Sequence, residues 1–308
     1  MSETADPQPL LEELRTRVTL FRAAPLVKML RHPWRMLYSA SIARLCSLRG
    51  RVVRTSTRTF WGDQMNIALP ELFSMSLYRY GFVEDGLTGL FLHYVKPGMT
   101  VFDVGTHFGY FTLLSSRLAG AQGRVHSFEP TPETYEVLRS NVVGRDNITT
   151  VNMALFSREA DMEFQDYGPE FSEFNSLISD SERIAEEYLQ KLKPRAYTVH
   201  ATTLDQYVLR TGITPDFVKI DAENAEYEIL RGAGELLSGS NPPIISLEVG
   251  DVGKVSSGSI RPVSYLLDRG YQAMEWDREN FRPRPHTLRE KYSYDNLLMV
   301  PQHRISNG

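Results

Sequence analysis

The sequence predicts a doubly wound α/β fold: a mostly parallel sheet with helices on both faces and an antiparallel pair of strands at one edge. Three observations carry this. Strands and helices alternate from about residue 99. A short apolar strand, Val101-Phe102-Asp103-Val104, runs into a glycine turn that opens a helix. The last two strands, Tyr271 to Glu275 and Tyr294 to Val300, have no helix between them. Alternation means βαβ units, parallel pairing and right-handed crossovers, whereas two strands joined by a Pro- and Arg-rich stretch without a helix read as an antiparallel hairpin at one edge.

The elements follow in order. Apolar residues at helical spacing cover about 9 to 47, broken at Pro25 and at His32-Pro33, so several short helices are expected rather than one. Residues 51 to 70 alternate like strands around the turn signal Gly62-Asp63, 71 to 94 are helical again, and Lys96-Pro97-Gly98 breaks that pattern. The main domain is therefore placed at 96 to 308, behind an N-terminal helical and short β extension at 1 to 95. Within it, strands are expected at Thr100 to Val104, Arg124 to Phe128, Ile148 to Leu155, Phe217 to Ile220 and Pro243 to Val249. Helices are expected at Phe108 to Leu118, Thr131 to Val143 and Glu223 to Leu237. The irregular stretch Ser157 to Tyr197 carries Phe164, Tyr167, Phe171 and Phe174 and reads as an insertion covering the substrate side.

Composition bounds the class. The chain has 308 residues with apolar, charged and aromatic fractions ordinary for a globular enzyme, which excludes collagen-like, coiled-coil and disordered classes. Cys46 is the single cysteine, so neither an intrachain disulfide nor a Cys₄ or Cys₂His₂ zinc site is available. The acidic, polar N-terminus and the lack of a long apolar run give a cytoplasmic expectation with no transmembrane segment. Residues 1 to 60 hold eleven Lys/Arg against four Asp/Glu, leaving 23 against 34 for the rest. The basic head carries Leu11, Leu14, Val18, Phe21, Leu26, Leu30, Trp34 and Leu37. Two uses compete: peripheral contact with an anionic membrane, or docking of an apolar stripe on the acidic body, the preferred reading. An acidic body opposes a phosphate backbone, so nucleic acid is not expected as a partner. The oligomeric state is left open.

The chemistry sits in Asp103-Val104-Gly105-Thr106-His107-Phe108-Gly109, a strand ending in Asp-x-Gly-x-x-x-Gly. Glycines there allow a sharp turn and a close ligand approach, and open α/β sheets bind ligands at the carboxyl ends of strands where the order reverses. Dinucleotide sites use G-x-G-x-x-G to seat a pyrophosphate. Here His107 stands in place of the second glycine, so a ligand without a diphosphate fits better. Glu129 ends the next strand, followed by Pro130, and offers two acceptor oxygens to the two hydroxyls of a ribose, a match of about 1.5–3 kcal/mol.

These residues resemble the FkbM family of S-adenosylmethionine (AdoMet) dependent methyltransferases. The resemblance spans about Thr59 to Val300. It is carried by Trp61-Gly62-Asp63-Gln64-Met65, Tyr80-Gly81-Phe82-Val83-Glu84, the glycine turn with Glu129-Pro130, Thr203-Leu204-Asp205, and Ile220-Asp221-Ala222-Glu223-Asn224-Ala225-Glu226 through Ala233. It implies a class I methyltransferase sheet, AdoMet as cofactor, and transfer to a hydroxyl of a glycan, glycolipid or secondary metabolite. Position by position, Asp103, Gly105 and Gly109, with Thr106 and His107 in the turn between them, would line the methionine and ribose part. Glu129, with Pro130 after it, would hold the diol, and Asn152 to Leu155, including Ala154, would border the adenine. Where the family has glycine after Asp-x-Glu this chain has Asn224, which tolerates positive φ.

A hydroxyl is a poor nucleophile, so a carboxylate or imidazole that takes its proton is sought at the strand ends. Asp221 ranks first, then Glu248. Lys219, two residues before Asp221, shares its side of the strand and reads equally as a salt-bridged lysine. Glu223 and Glu226 suit helix capping as well as catalysis, and His107 and His200 read as hydrogen-bonded structural residues. Tyr78, Tyr80, Phe82 and Glu84 are placed to close over the methionine end, Glu84 being the one that packing does not explain. Asp221, Glu223 and Glu248 leave room for a divalent cation, although no spacing calls for one. Two other functions compete: a Rossmann-type sugar-modifying oxidoreductase, disfavoured by the missing G-x-G-x-x-G, and a non-catalytic methyltransferase-like partner subunit.

Overall fold

The computed structural model describes residues 7–49, 52–166, 195–222, 225–250, 260–289, 292 and 295–305. Prolines punctuate the N-terminal helices α1 (Pro7–Arg22), α2 (Pro25–Arg31) and α3 (Pro33–Arg49). Proline at the first position of α2 and α3 lacks an N–H that would have had no helical acceptor, so it starts a helix where it must end the previous one. An antiparallel hairpin follows, β1 (Val53–Arg58) and β2 (Gln64–Leu69). Its turn is fastened by the Trp61 indole N–H donating to Asp63 at 2.8 Å and by Arg145 donating to the same carboxylate oxygen at 2.6 Å. Helices α4 (Leu72–Tyr80) and α5 (Asp85–Tyr94) then lead into the sheet.

Eight strands form that sheet. They are β3 (Thr100–Val104), β4 (Arg124–Phe128), β5 (Ile148–Val151), β9 (Phe217–Ile220), β10 (Ile244–Val249), β11 (Tyr271–Asp277), β12 (Arg282–Pro285) and β13 (Asp295–Pro301), in the order β12-β11-β13-β10-β9-β3-β4-β5. β5, β4, β3, β9 and β10 are parallel, while β13 inserts antiparallel between β10 and β11 and β12 closes the edge. This is the mostly parallel sheet with an antiparallel C-terminal end that the sequence predicts, and the order reverses between β3 and β9. Consecutive strand residues alternate between two apolar clusters, one on each face. Val101 and Phe217 join α5 and α6 (Tyr110–Ala119) on one side. Phe102 and Val218 join α8 (Leu204–Thr211), α9 (Glu226–Arg231) and α11 (Ile260–Leu267) on the other. Helix α7 (Pro132–Asn141) links β4 to β5.

Two local expectations change. The strand foreseen at Ile148 to Leu155 breaks after Val151: β6 (Ala154–Leu155) leaves the main sheet and pairs with β8 (Arg195–Thr202), which also pairs with β7 (Ala160–Asp166) in a separate three-stranded sheet. The helix foreseen at Glu223 to Leu237 is divided into α9 and α10 (Gly234–Ser238). A Cβ at Gly232 would lie 2.3 Å from the Phe156 carbonyl oxygen, and Asp205 accepts the N–H groups of Glu235 and Leu236, both at 2.9 Å, which restarts the helix. Most of the Ser157 to Tyr197 insertion, and with it Tyr167, Phe171 and Phe174, lies outside the described residues, as do Glu223, Asn224 and Tyr294. The extension is not separate packing: Leu14, Phe60, Leu77 and Phe91 share one cluster with Val101, Phe111 and Val300. The chain closes with α12 (Gln302–Ile305).

Candidate active site

A cavity of about 570 Å³ opens at the carboxyl ends of β3, β4, β9 and β10, where the strand order reverses. That volume suits a nucleoside-sized ligand. Its floor is the turn from β3 to α6, where Gly105 takes φ 72° and His107 φ 53°. The glycine answers to more than ligand approach, because a Cβ there would lie 1.6 Å from the Asp221 carbonyl oxygen. Among the described residues three non-glycines have positive φ, namely Glu84, His107 and Phe281. The first two are on the cavity wall, and such strain concentrates where function holds it in place.

Glu129 defines one end. One oxygen accepts the His107 backbone N–H at 2.9 Å and the other that of Thr131 at 2.9 Å, so the carboxylate is clamped between two backbone segments. Asn152 supports it from behind by donating to the Glu129 carbonyl at 2.8 Å and the Pro130 carbonyl at 3.1 Å. The Thr131 hydroxyl donates to the same carboxylate, which has about four acceptor sites and so can still take a further donor. Burial outweighs these hydrogen bonds and lifts the Glu129 pKa to about 7. His107 stacks on Phe108 with ring centroids 3.9 Å apart and meets Phe73 edge-on at 5.3 Å. Burial pushes its pKa down to about 4, so it is neutral in the physiological range.

The other end is charged. Sheet register sets Ser246, Lys219, Asp103 and Ser127 in one row across four neighbouring strands. The Lys219 ammonium lies 3.6 Å from Asp103, 3.0 Å from Asp221 and 3.3 Å from the Gly105 carbonyl, with the Phe111 ring beneath it. Burial works against this charge, but Asp221, Asp103 and Glu84 hold the lysine pKa above its usual value. Burial raises the Asp103 pKa despite the nearby ammonium. At Asp221 burial is outweighed by Lys219 and by a hydrogen bond from Glu248, so its carboxyl stays below the usual range. A permanently charged lysine is a poor proton acceptor, which argues for the salt-bridged reading of Lys219.

The structure brings Gly105, Thr106, His107, Glu129, Pro130, Ala154, Glu84, Lys219, Asp221 and Glu248 onto one cavity wall. Asp103, Gly109 and Asn152 are not on it. Asp103 is fully buried and accepts from Thr112 at 2.7 Å, Gly109 starts α6 against Leu138, and Asn152 braces Glu129. Of the aromatic group before the sheet, Glu84 lines the cavity, while Tyr80 and Phe82 pack against Phe21 of α1 and Tyr78 against Tyr38 of α3. Glu84 accepts from Asn296 at 3.0 Å. Glu226 caps the turn by accepting the Ala222 N–H at 3.0 Å, and His200 pairs with Asp161 at the surface.

Sequence reasoning missed Glu71, Phe73 and Ser76 of the α4 region, which also line the cavity. Glu71 caps α4 through the N–H groups of Phe73 and Ser74, and burial raises its pKa. Glu is not a usual N-cap residue, and the wall depends on how α4 docks, so neither was legible in the sequence. Phe164, from the insertion, is buried and lines the cavity too. Among the described residues no group of three or more His, Cys, Asp or Glu side chains is placed to hold a metal ion. Glu223, one of the three carboxylates considered for a cation, lies outside them.

The lining fits AdoMet. The Glu129 carboxylate matches a ribose diol, Phe128, Met153, Leu155 and Phe164 offer an apolar slot, and Glu84 gives negative charge for the ammonium of the amino-acid end. Glu129 and Glu248 sit on strands three spacings apart, roughly 14 Å, enough for an extended ligand between them. Comparisons with known proteins agree. The chain is 25% identical over 198 residues to the 31-O-demethyl-FK506 methyltransferase FkbM of Streptomyces tacrolimicus, covering 58% of this chain and 74% of that protein. It is 33% identical over 60 residues to a protein-L-isoaspartate O-methyltransferase of Methanococcoides burtonii, 19% of this chain and 30% of that protein, so it spans under a third of that relative. Superposition on the Bacillus cereus O-methyltransferase in complex with S-adenosylhomocysteine covers 70% of this chain and 79% of that one, at TM-score 0.37 and 13% identity. The Aeropyrum pernix fibrillarin with bound AdoMet gives 67% and 68%, TM-score 0.37 and 14%. Neither superposition is close enough to carry weight. The model of the methyltransferase FkbM domain matches residues 103–273, more than half of the sequence, and the chain belongs to that family of AdoMet-dependent methyltransferases.

Proposed function

We propose that this enzyme is an O-methyltransferase acting on a hydroxyl of a glycan, glycolipid or secondary metabolite, with a sugar hydroxyl preferred. The observation that carries the reading is the Asp221–Glu248 pair at neighbouring strand ends on the cavity wall. A hydrogen-bonded carboxyl pair in which Asp221 is held ionised offers a basic site that can take the proton of an acceptor hydroxyl. Lys219 keeps Asp221 ionised and oriented from below. AdoMet supplies the methyl group from its sulfonium. Positive charge fades there during transfer, so alignment and exclusion of water supply most of the acceleration. Glu129 and the glycine turn fix the nucleoside, and Phe73 and Phe164 keep the cavity dry. The relative from Streptomyces tacrolimicus, named for methylation at an oxygen, supports the same chemistry.

The test is transfer of labelled methyl from AdoMet to small-molecule and glycan extracts. Label in an ether linkage stable to base, on a sugar, is the expected result. Label confined to amines, to protein carboxyls or to molecules lacking sugar rejects the sugar-hydroxyl reading.

A further inference from the structure

Docking of the basic head on the body accounts for α1 and for one side of α3. Leu14 and Val18 are buried on α1, Arg35 donates to the Tyr78 carbonyl at 3.0 Å, and Arg79 donates to Ser39 at 2.8 Å. It does not account for α2, which has no buried residue. Leu26 and Leu30, four apart on one side of α2, are 71% and 74% exposed, and Trp34 at the start of α3 is 81% exposed. Leu37 and Leu45 follow outward along α3. Large apolar side chains gathered at one place on a surface mark an interaction site rather than the scatter every protein shows.

Charge identifies the occupant. From Ala23 to Arg49 the chain has five Lys/Arg and no Asp or Glu, and Arg31 and Arg44 are exposed beside the leucines. Two copies meeting through this face would oppose positive charge with positive charge. Meeting the acidic body of another copy instead would be a head-to-tail contact, which builds rings or filaments rather than a two-fold dimer. Leucines and a tryptophan flanked by the exposed Arg31 and Arg44 match the boundary of an anionic bilayer, where apolar side chains enter the acyl region and the cationic heads reach lipid phosphates. We propose that α2 and the outward side of α3 form a monotopic docking surface for an anionic lipid bilayer. The anchor is tied to the cavity through α4, whose C-terminal end holds the first half of α3 and whose N-terminal part lines the cavity. The proposal stands whether the methyl acceptor is lipid-linked or free.

The experiment is flotation of the full chain with vesicles of phosphatidylcholine mixed with phosphatidylglycerol, against phosphatidylcholine alone. Flotation is expected with the anionic vesicles only, and to weaken with salt. Trp61 and Trp276 are buried, so a blue shift of tryptophan emission on vesicle addition should come from Trp34 and vanish in Trp34→Phe. The double variant Leu26→Glu/Leu30→Glu should lower vesicle affinity about tenfold or more, with melting temperature and AdoMet binding unchanged because both positions are exposed. Three results overturn the proposal: no flotation of the wild type, flotation of the double variant equal to wild type, or a wild-type dimer in sedimentation that the double variant dissociates. The last would make the face an interface between copies.

Discussion

Gly105 packs against the backbone of Asp221 so closely that a Cβ would fall 1.6 Å from its carbonyl oxygen. Strand β9 thus ends against the turn after β3, and the residue between that turn and β9 can have no side chain. Gly105→Ala should lower stability by about 3 kcal/mol or more, from the clash together with a φ of 72°. Urea denaturation beside AdoMet calorimetry checks it. Full stability with lost binding would mean that the glycine serves only the ligand.

Glu129 links cofactor affinity to pH. Its pKa in the free protein is about 7, above the ordinary 4.5. A carboxyl raised on folding adds stability that is present below its unfolded pKa and lost as pH rises through 7. Ribose hydroxyls donate to the ionised form, so AdoMet affinity should move the other way, rising up to tenfold per pH unit towards pH 7 and levelling above it. Calorimetry in buffers of different ionisation enthalpy should show proton release on binding near pH 7. Glu129→Gln should flatten the profile and weaken binding throughout.

On the proposed function Lys219 positions Asp221 rather than acting as the base. Replacing it by Met leaves Asp103 buried and unpaired, at a cost of about 3–5 kcal/mol. Thermal or urea unfolding reads this directly. A wild-type pH–rate profile with an alkaline limb that disappears in Lys219→Met would restore the catalytic reading.

Asp221→Asn should reduce kcat by about 10²- to 10⁴-fold while leaving AdoMet affinity within a few fold. Glu248→Gln should act in the same direction with a smaller effect, since it supports the carboxylate that Lys219 holds ionised. Single-turnover methyl transfer separates the two. Equal loss of AdoMet binding and turnover would place Asp221 among the cofactor-holding groups instead.

Much of the motif resemblance turns out to be scaffolding. Asp63 fastens a hairpin, Asp205 restarts a helix, and Gly232 makes room for the Phe156 carbonyl. Such residues mark the family because the fold needs them, so a matching block in the sequence is not a list of ligands. The split of Ile148 to Leu155 into two strands was hidden for a similar reason: an apolar run reads alike whether its residues pair in one sheet or two.

From the sequence alone came the parallel core, the antiparallel end, the glycine turn and Glu129, because hydrophobic periodicity and turn chemistry are local properties written in consecutive residues. Only tertiary structure decided that Asp103 faces Lys219 instead of the cavity, that α4 supplies a wall, and that α2 buries none of its residues. Register sets the first, since neighbouring strands place residues 103 and 219 side by side. Packing sets the others, because which face a helix buries depends on what it meets and not on its own composition.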